Sequence, residues 1–122
     1  MVAFVSTDVT VTVNQRKKVN GSPTRRNNNC TIAFGDGAIT YATGGVPMPA
    51  GGSFGMNGAV VDSMVVQESA GGAGYIAEYD PTNNKMYLWM GDYDNASDGP
   101  LIQVANATAI AAMSLECTVI GY

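Results

Sequence analysis

Residues 8–14 read DVTVTVN, with Val9, Val11 and Val13 alternating with Thr10 and Thr12. A period of two puts the valines on one face and the threonines on the other, which is the pattern of a half-buried strand. The same period returns in YIAEYDPTNNKMYLWM, residues 75–90. There Tyr75, Ala77 and Tyr79 alternate with Ile76 and Glu78, and Met86, Leu88 and Met90 alternate with Tyr87 and Trp89. Between the two arms, Pro81 presets φ for a turn, and Asn83 and Asn84 tolerate left-handed backbone. The segment is expected to be a hairpin with a loop of about four or five residues. No helical period persists for more than a few residues, so the chain must bury its apolar face by pairing strands.

The other segments fit this frame. CTIAF (30–34), GDG (35–37) and AITYA (38–42) are expected to form a second hairpin. TGGVPMPAGGSFGMNG, residues 43–58, carries too much glycine and proline for a helix or a central strand. AVVDSMVVQE (59–68) is almost continuously apolar and is expected to be a central strand. LIQVA is a short strand, NATAIAAMS one helical turn, and LECTVIGY the closing strand. QRKKV is expected to prolong the first strand as a charged edge that discourages stray pairing. The expected architecture is one all-β domain over residues 1–122: an antiparallel sandwich or barrel of about eight short strands, with a jelly roll as one realisation.

GGSFG, residues 51–55, matches the G-x-S-x-G pattern of a nucleophile elbow. That chemistry needs a histidine to take the serine proton, a carboxylate to orient the histidine, and a long helix after the turn. The chain has no histidine. Lys17, Lys18 and Lys85 occupy polar, strand-edge or turn settings that would not make a lysine the serine's partner base. Ser53 is therefore read as part of a connection, and no catalytic residue is expected. With no histidine and two distant cysteines, a zinc site is not expected either. Asp92, Asp94 and Asp98 lack the spacing of an EF-hand; turn hydrogen bonding is the preferred reading, with weak ion binding left open. Glu68, Glu78 and Asp80 offer carboxylate pairs of the kind any acidic β protein offers. No cofactor is expected. Cys30 and Cys117 are read as buried free thiols, with a disulfide between them left open.

Only 13% of the residues are charged, about half the usual share. The charges are also unevenly placed. Arg16, Lys17, Lys18, Arg25 and Arg26 stand in the first thirty residues against Asp8, whereas Lys85 alone faces the remaining acids. The basic arc lacks interleaved aromatics for stacking bases, and the net charge is −4. An acidic protein surface is thus a better partner for these five residues than nucleic acid. No apolar run is long enough to span a bilayer, and the N-terminus has no basic region of a signal peptide. The four N-x-S/T sequons at Asn20, Asn29, Asn95 and Asn106 are read as accidents of composition. Tyr75, Tyr79, Tyr87 and Trp89 are read first as cross-strand packing; Tyr87, Trp89 and Tyr93 are the alternative, a sugar-binding platform.

Three segments then share an order: ITYATGGVPM, AEYDPTNNKMYLWM and IQVANATAIAAMSLECTVIGY. Together, over roughly residues 38–122, they resemble small virion proteins of tailed bacteriophages. The shared pattern is a Gly-Gly-x-Pro segment after a strand, an EYD-x-x-N-x-K hairpin, and an N-x-T-x-L/I turn before a last strand ending in A/V-I-G. The resemblance implies a capsid decoration or cement protein with a jelly-roll or related fold. It implies a homotrimer on the outer capsid of the virion, made in the host cytoplasm, that clamps major capsid subunits and is not an enzyme. The alternative is a virion tail or fibre accessory, or a carbohydrate-binding module. One departure stands out: AGGSFGMN replaces the Leu- and Asp-bearing helical turn of the resembled proteins.

Overall fold

The computed structural model describes residues 2–18, 25–67, 74–91 and 101–122. Eight strands follow in chain order: β1 (Thr10–Gln15), β2 (Arg26–Phe34), β3 (Val46–Pro47), β4 (Val61–Gln67), β5 (Ile76–Asp80), β6 (Lys85–Met90), β7 (Ile102–Gln103) and β8 (Met113–Gly121). They form two antiparallel sheets, one ordered β1-β2-β8-β4 and the other β3-β6-β5, with β7 also on β6. The sandwich expected from the sequence is the architecture observed; the strand order does not by itself make it a jelly roll.

The first sheet is organised by its two nine-residue central strands, β2 and β8, which pair from Arg26↔Gly121 to Phe34↔Met113 without a break. Their inward side chains include Cys30, Ile32 and Phe34 from β2 and Met113, Leu115, Cys117 and Val119 from β8, all buried. Period-two alternation thus translates directly into one side of the core. The outward face is polar and cross-linked. Asn14 Nδ2 donates to Thr31 Oγ1 (2.7 Å), Thr31 Oγ1 donates to Glu116 Oε1 (2.9 Å), and Asn29 Nδ2 donates to Gln15 Oε1 (3.1 Å).

The second sheet supplies Val46, Met86 and Leu88 to the core, but connecting segments supply as much. Tyr41, Met48, Phe54, Met56, Val104 and Ile110 are buried without belonging to a strand. β5 covers one side of β6 along its length, so β3 and β7 share the other side. β3 faces Lys85 and Met86, and β7 faces Trp89 and Met90, which leaves Tyr87 and Leu88 between them. The Tyr41 hydroxyl accepts the Leu88 N–H (3.3 Å) and the Val104 N–H donates to the Leu88 carbonyl (2.9 Å). Gln103 Nε2 donates to the same hydroxyl and to the Thr43 carbonyl. One tyrosine therefore closes a gap that a continuous strand would otherwise fill, as buried backbone groups require.

The hairpin of residues 75–90 forms as expected, with Ile76↔Trp89 through Asp80↔Lys85 in register. Asn84 takes φ +54° and ties the turn to the proline-rich segment, donating to the carbonyls of Met48 (3.0 Å) and Pro49 (3.1 Å). Burial, and then the Asp80 charge, push the Tyr79 hydroxyl above its ordinary pKa, so it stays a neutral donor to Asn84 Oδ1 (2.7 Å).

Three local expectations are corrected. AITYA does not fold back on β2, because β1 and β8 occupy both sides of that strand. Residues 37–41 instead exchange backbone bonds with 107–110, including Tyr41 N–H to the Thr108 carbonyl (2.8 Å) and Ile110 N–H to the Ile39 carbonyl (3.1 Å). NATAIAAMS is consequently an extended partner with a turn at Ala107 (φ +67°), not a helical turn. β4 is an edge strand, not a central one: Val65 is 64% exposed on its outer face, and a bulge at Asp62 interrupts its pairing with β8.

Candidate functional site

The five basic residues singled out by the sequence converge at one end of the first sheet. β1 loses its regular register at Asn14, yet the chain beyond it stays beside β2. The Lys17 N–H donates to Asn28 Oδ1 (3.2 Å), the Lys17 carbonyl accepts the Asn27 N–H (2.8 Å), and Lys18 bridges to Arg26. The expected continuation of β1 as a charged edge is thus met by an irregular but anchored segment.

Asn28 is the anchor. It is fully buried, which an amide tolerates only when its polar atoms are bonded. Besides accepting from Lys17, it donates through Nδ2 to the Phe54 carbonyl (2.9 Å). That carbonyl belongs to GGSF, residues Gly51–Phe54, which forms a short 3-10 turn and drives Phe54 into the core. Gly55 follows at φ +82°, where a Cβ would lie 2.6 Å from Asn28 Nδ2, so both the backbone and the space demand glycine. GGSFG therefore plugs the end of the sandwich beneath the basic arc, and Ser53 lies exposed on that plug.

The arc is not chemically uniform. Arg16, Lys17 and Lys18 are exposed, and among the described residues no carboxylate lies within ion-pair distance of them. Arg25 is already engaged: its guanidinium pairs with Asp62 in the β4 bulge and lies 5.7 Å from the centre of the Tyr122 ring. It thereby ties the start of β2 across the end of β8 to β4. Arg26 is half-buried, opposite Gly121. Asp62 and Tyr122 were not singled out from the sequence. The one available signal was a charge inside the apolar run AVVDSMVV.

The aromatic residues of the hairpin divide between two faces. Tyr75 and Tyr79 pack against the core, whereas Tyr87 and Trp89 lie on the outer face of β6. Trp89 faces Ile76 and Gln103, and its buried Nε1–H has no hydrogen-bond partner among the described residues. Tyr93, Asp92, Asp94, Asp98 and Glu68 lie outside the described residues. Among the described residues, no three His, Cys, Asp or Glu side chains are grouped to hold a metal ion. Comparison of the chain with known protein families, with curated proteins and with solved structures returned no match.

Proposed function

We propose that this chain is a structural protein of a tailed-phage virion, a decoration or cement protein without enzymatic activity. In this reading it sits on the outer capsid surface as a homotrimer, after synthesis in the host cytoplasm, and stabilises contacts between major capsid subunits. The supporting observation is the cationic arc. Arg16, Lys17 and Lys18 are held on backbone that is bonded to β2 through Asn27 and Asn28, and no acid of the described chain neutralises them. A preorganised, uncompensated positive edge favours docking on an acidic protein surface, because little ordering entropy remains to be lost on binding. Arg26 can join this contact from β2, while Arg25 is already paired with Asp62 at the end of the sheet.

Co-sedimentation with capsids that lack the protein tests this reading. The double reversal Lys17→Glu/Lys18→Glu is expected to weaken binding by roughly tenfold or more at low salt, with the difference shrinking as salt rises. Unchanged occupancy would remove the arc from the interface. Native mass measurement of the isolated protein checks the trimer.

A second reading, a carbohydrate-binding module or a tail or fibre accessory, is favoured by the placement of Tyr87 and Trp89 on one outward face of β6. Saturable binding on a glycan array, abolished by Trp89→Ala, would select it over the first.

A further inference from the structure

Cys30 and Cys117 stand directly opposite each other in the centre of the longest ladder. Val60 and Tyr122 exchange backbone bonds across the β4–β8 edge, each at 3.0 Å. Alternate residues of a strand direct their amides to opposite sides, so Cys117, five positions before Tyr122, directs its own toward β2. Cys30 and Cys117 are therefore a hydrogen-bonded cross-strand pair, with Cα atoms about 5.5 Å apart. That Cα spacing lies in the range of a disulfide, and the Cβ atoms of a hydrogen-bonded pair, about 5.5 Å apart, reach bonding distance once the two strands draw together by about 1 Å. Both side chains point into the core, at 0% and 4% exposure, and the Cys117 Sγ lies 3.4 Å from the Cys30 carbonyl oxygen.

We propose that Cys30 and Cys117 are a modification site, a dithiol that closes to an intramolecular disulfide on meeting an oxidising disulfide of the glutathione class. Two protein thiols lose two protons and two electrons and form one S–S bond. The S–S bond of the oxidant breaks and takes them up as two thiols. A hydrogen bond from Cys117 holds the Cys30 thiol below its ordinary value; burial opposes this, and the Arg16 charge adds to it. The same hydrogen bond, together with burial, pushes Cys117 up. Exchange is slow because both sulfurs are buried, so it proceeds through opening of the β2–β8 ladder. Once closed, the bond cross-links the two central strands of the first sheet and spans most of the chain, where loop-closure entropy gives a disulfide a large effect. The inference stands on the ladder register and is independent of the function proposed above.

The test uses the full-length reduced protein, equilibrated in glutathione buffers of graded redox ratio. It is then unfolded, alkylated and weighed intact. The expected product is a monomer lighter by about 2 Da that takes no alkyl group, with a Tm raised by about 10 °C and restored by dithiothreitol. Cys117→Ser is expected to give no such species, and to carry at most one glutathione. The inference is overturned if both thiols of the unmutated protein remain alkylatable in the most oxidising buffer. It is equally overturned by a stable glutathione adduct or a disulfide-linked dimer as the main product, or by a closed form that melts below the reduced protein.

Discussion

The two sheets solve the same problem by different means. In the first, β2 and β8 pair over nine residues each, and every inward side chain falls where the period-two pattern puts it. In the second, β6 is flanked on one side by two strands of two residues each, and the break at Leu88 is closed by the Tyr41 hydroxyl and the Val104 amide. The first sheet is held by a repeating ladder, so its stability is spread over many similar bonds. The second depends on a few named side chains, chiefly Tyr41, Gln103 and Asn84, each of which satisfies several partners. Removing one of these leaves buried donors or acceptors without partners, which costs more than the loss of an average hydrogen bond.

The largest effects expected on this contrast come from the core. Leu115 and Leu88 are both fully buried, one in each sheet. Leu115→Ala and Leu88→Ala should each destabilise by about 2–5 kcal/mol in denaturant unfolding, with Leu88→Ala nearer the lower end because the split edge around it can relax into the cavity. A reversed order would break the contrast between a continuous and an interrupted sheet. Tyr41→Phe comes next, at about 1–3 kcal/mol, since it strips the partner from the Leu88 N–H and from Gln103. Hydrogen exchange should localise this loss to the Leu88 amide and β7 while the β2–β8 amides keep their protection; uniform acceleration would show the two sheets to be one cooperative unit. Asn84→Ala is expected to cost about 1–2 kcal/mol, combining a left-handed φ with the loss of two carbonyl contacts. An unchanged denaturation midpoint would argue against Asn84 as a tie between the hairpin and the proline-rich segment.

The smallest effect is one of pH. The Asp36 carboxylate accepts the N–H groups of Ile39 and Ala38, and Asp80 accepts from the Asn83 side chain and the Thr82 N–H. These bonds hold both carboxyls below the usual carboxylate value. A group whose folded pKa is depressed contributes stability above its unfolded pKa and loses it as pH falls through the folded one. Tm should therefore decline below about pH 4, and less steeply in Asp36→Asn and Asp80→Asn, each read by thermal melts across acid buffers. Identical slopes in the variants and the parent would remove these turns from the acid response.

The basic arc repeats the lesson of the sheets on a smaller scale. Its five cations are adjacent enough in sequence to be noticed together, yet they divide into three with no carboxylate within ion-pair distance among the described residues, Arg16, Lys17 and Lys18, a half-buried Arg26, and a braced Arg25. What separates them is Asp62, which comes from a distant strand and reaches Arg25 through the bulge in β4. Likewise, GGSFG could be stripped of its resemblance to a catalytic elbow from sequence alone, by the absence of histidine. Its actual work, inserting Phe54 beneath Asn28, depends on where β2 lies.

The amino-acid sequence by itself determined the all-β class, the alternating faces of β1, β5 and β6, a turn at Asn83–Asn84 that tolerates left-handed backbone, and the exclusion of an α-helix and a central strand from residues 43–58, where a short 3-10 turn forms instead. Each is set by residues within a few positions of one another, through side-chain alternation, preset φ and the missing Cβ of glycine. Only the tertiary structure decided that residues 37–41 pair with 107–110 and not with β2, that the apolar β4 lies at an edge, that Tyr41 fills a gap in β6, and that Cys30 meets Cys117. Those outcomes depend on which strands compete for each edge. That competition is settled by packing between segments far apart in the chain, where local pattern carries no preference for one partner over another.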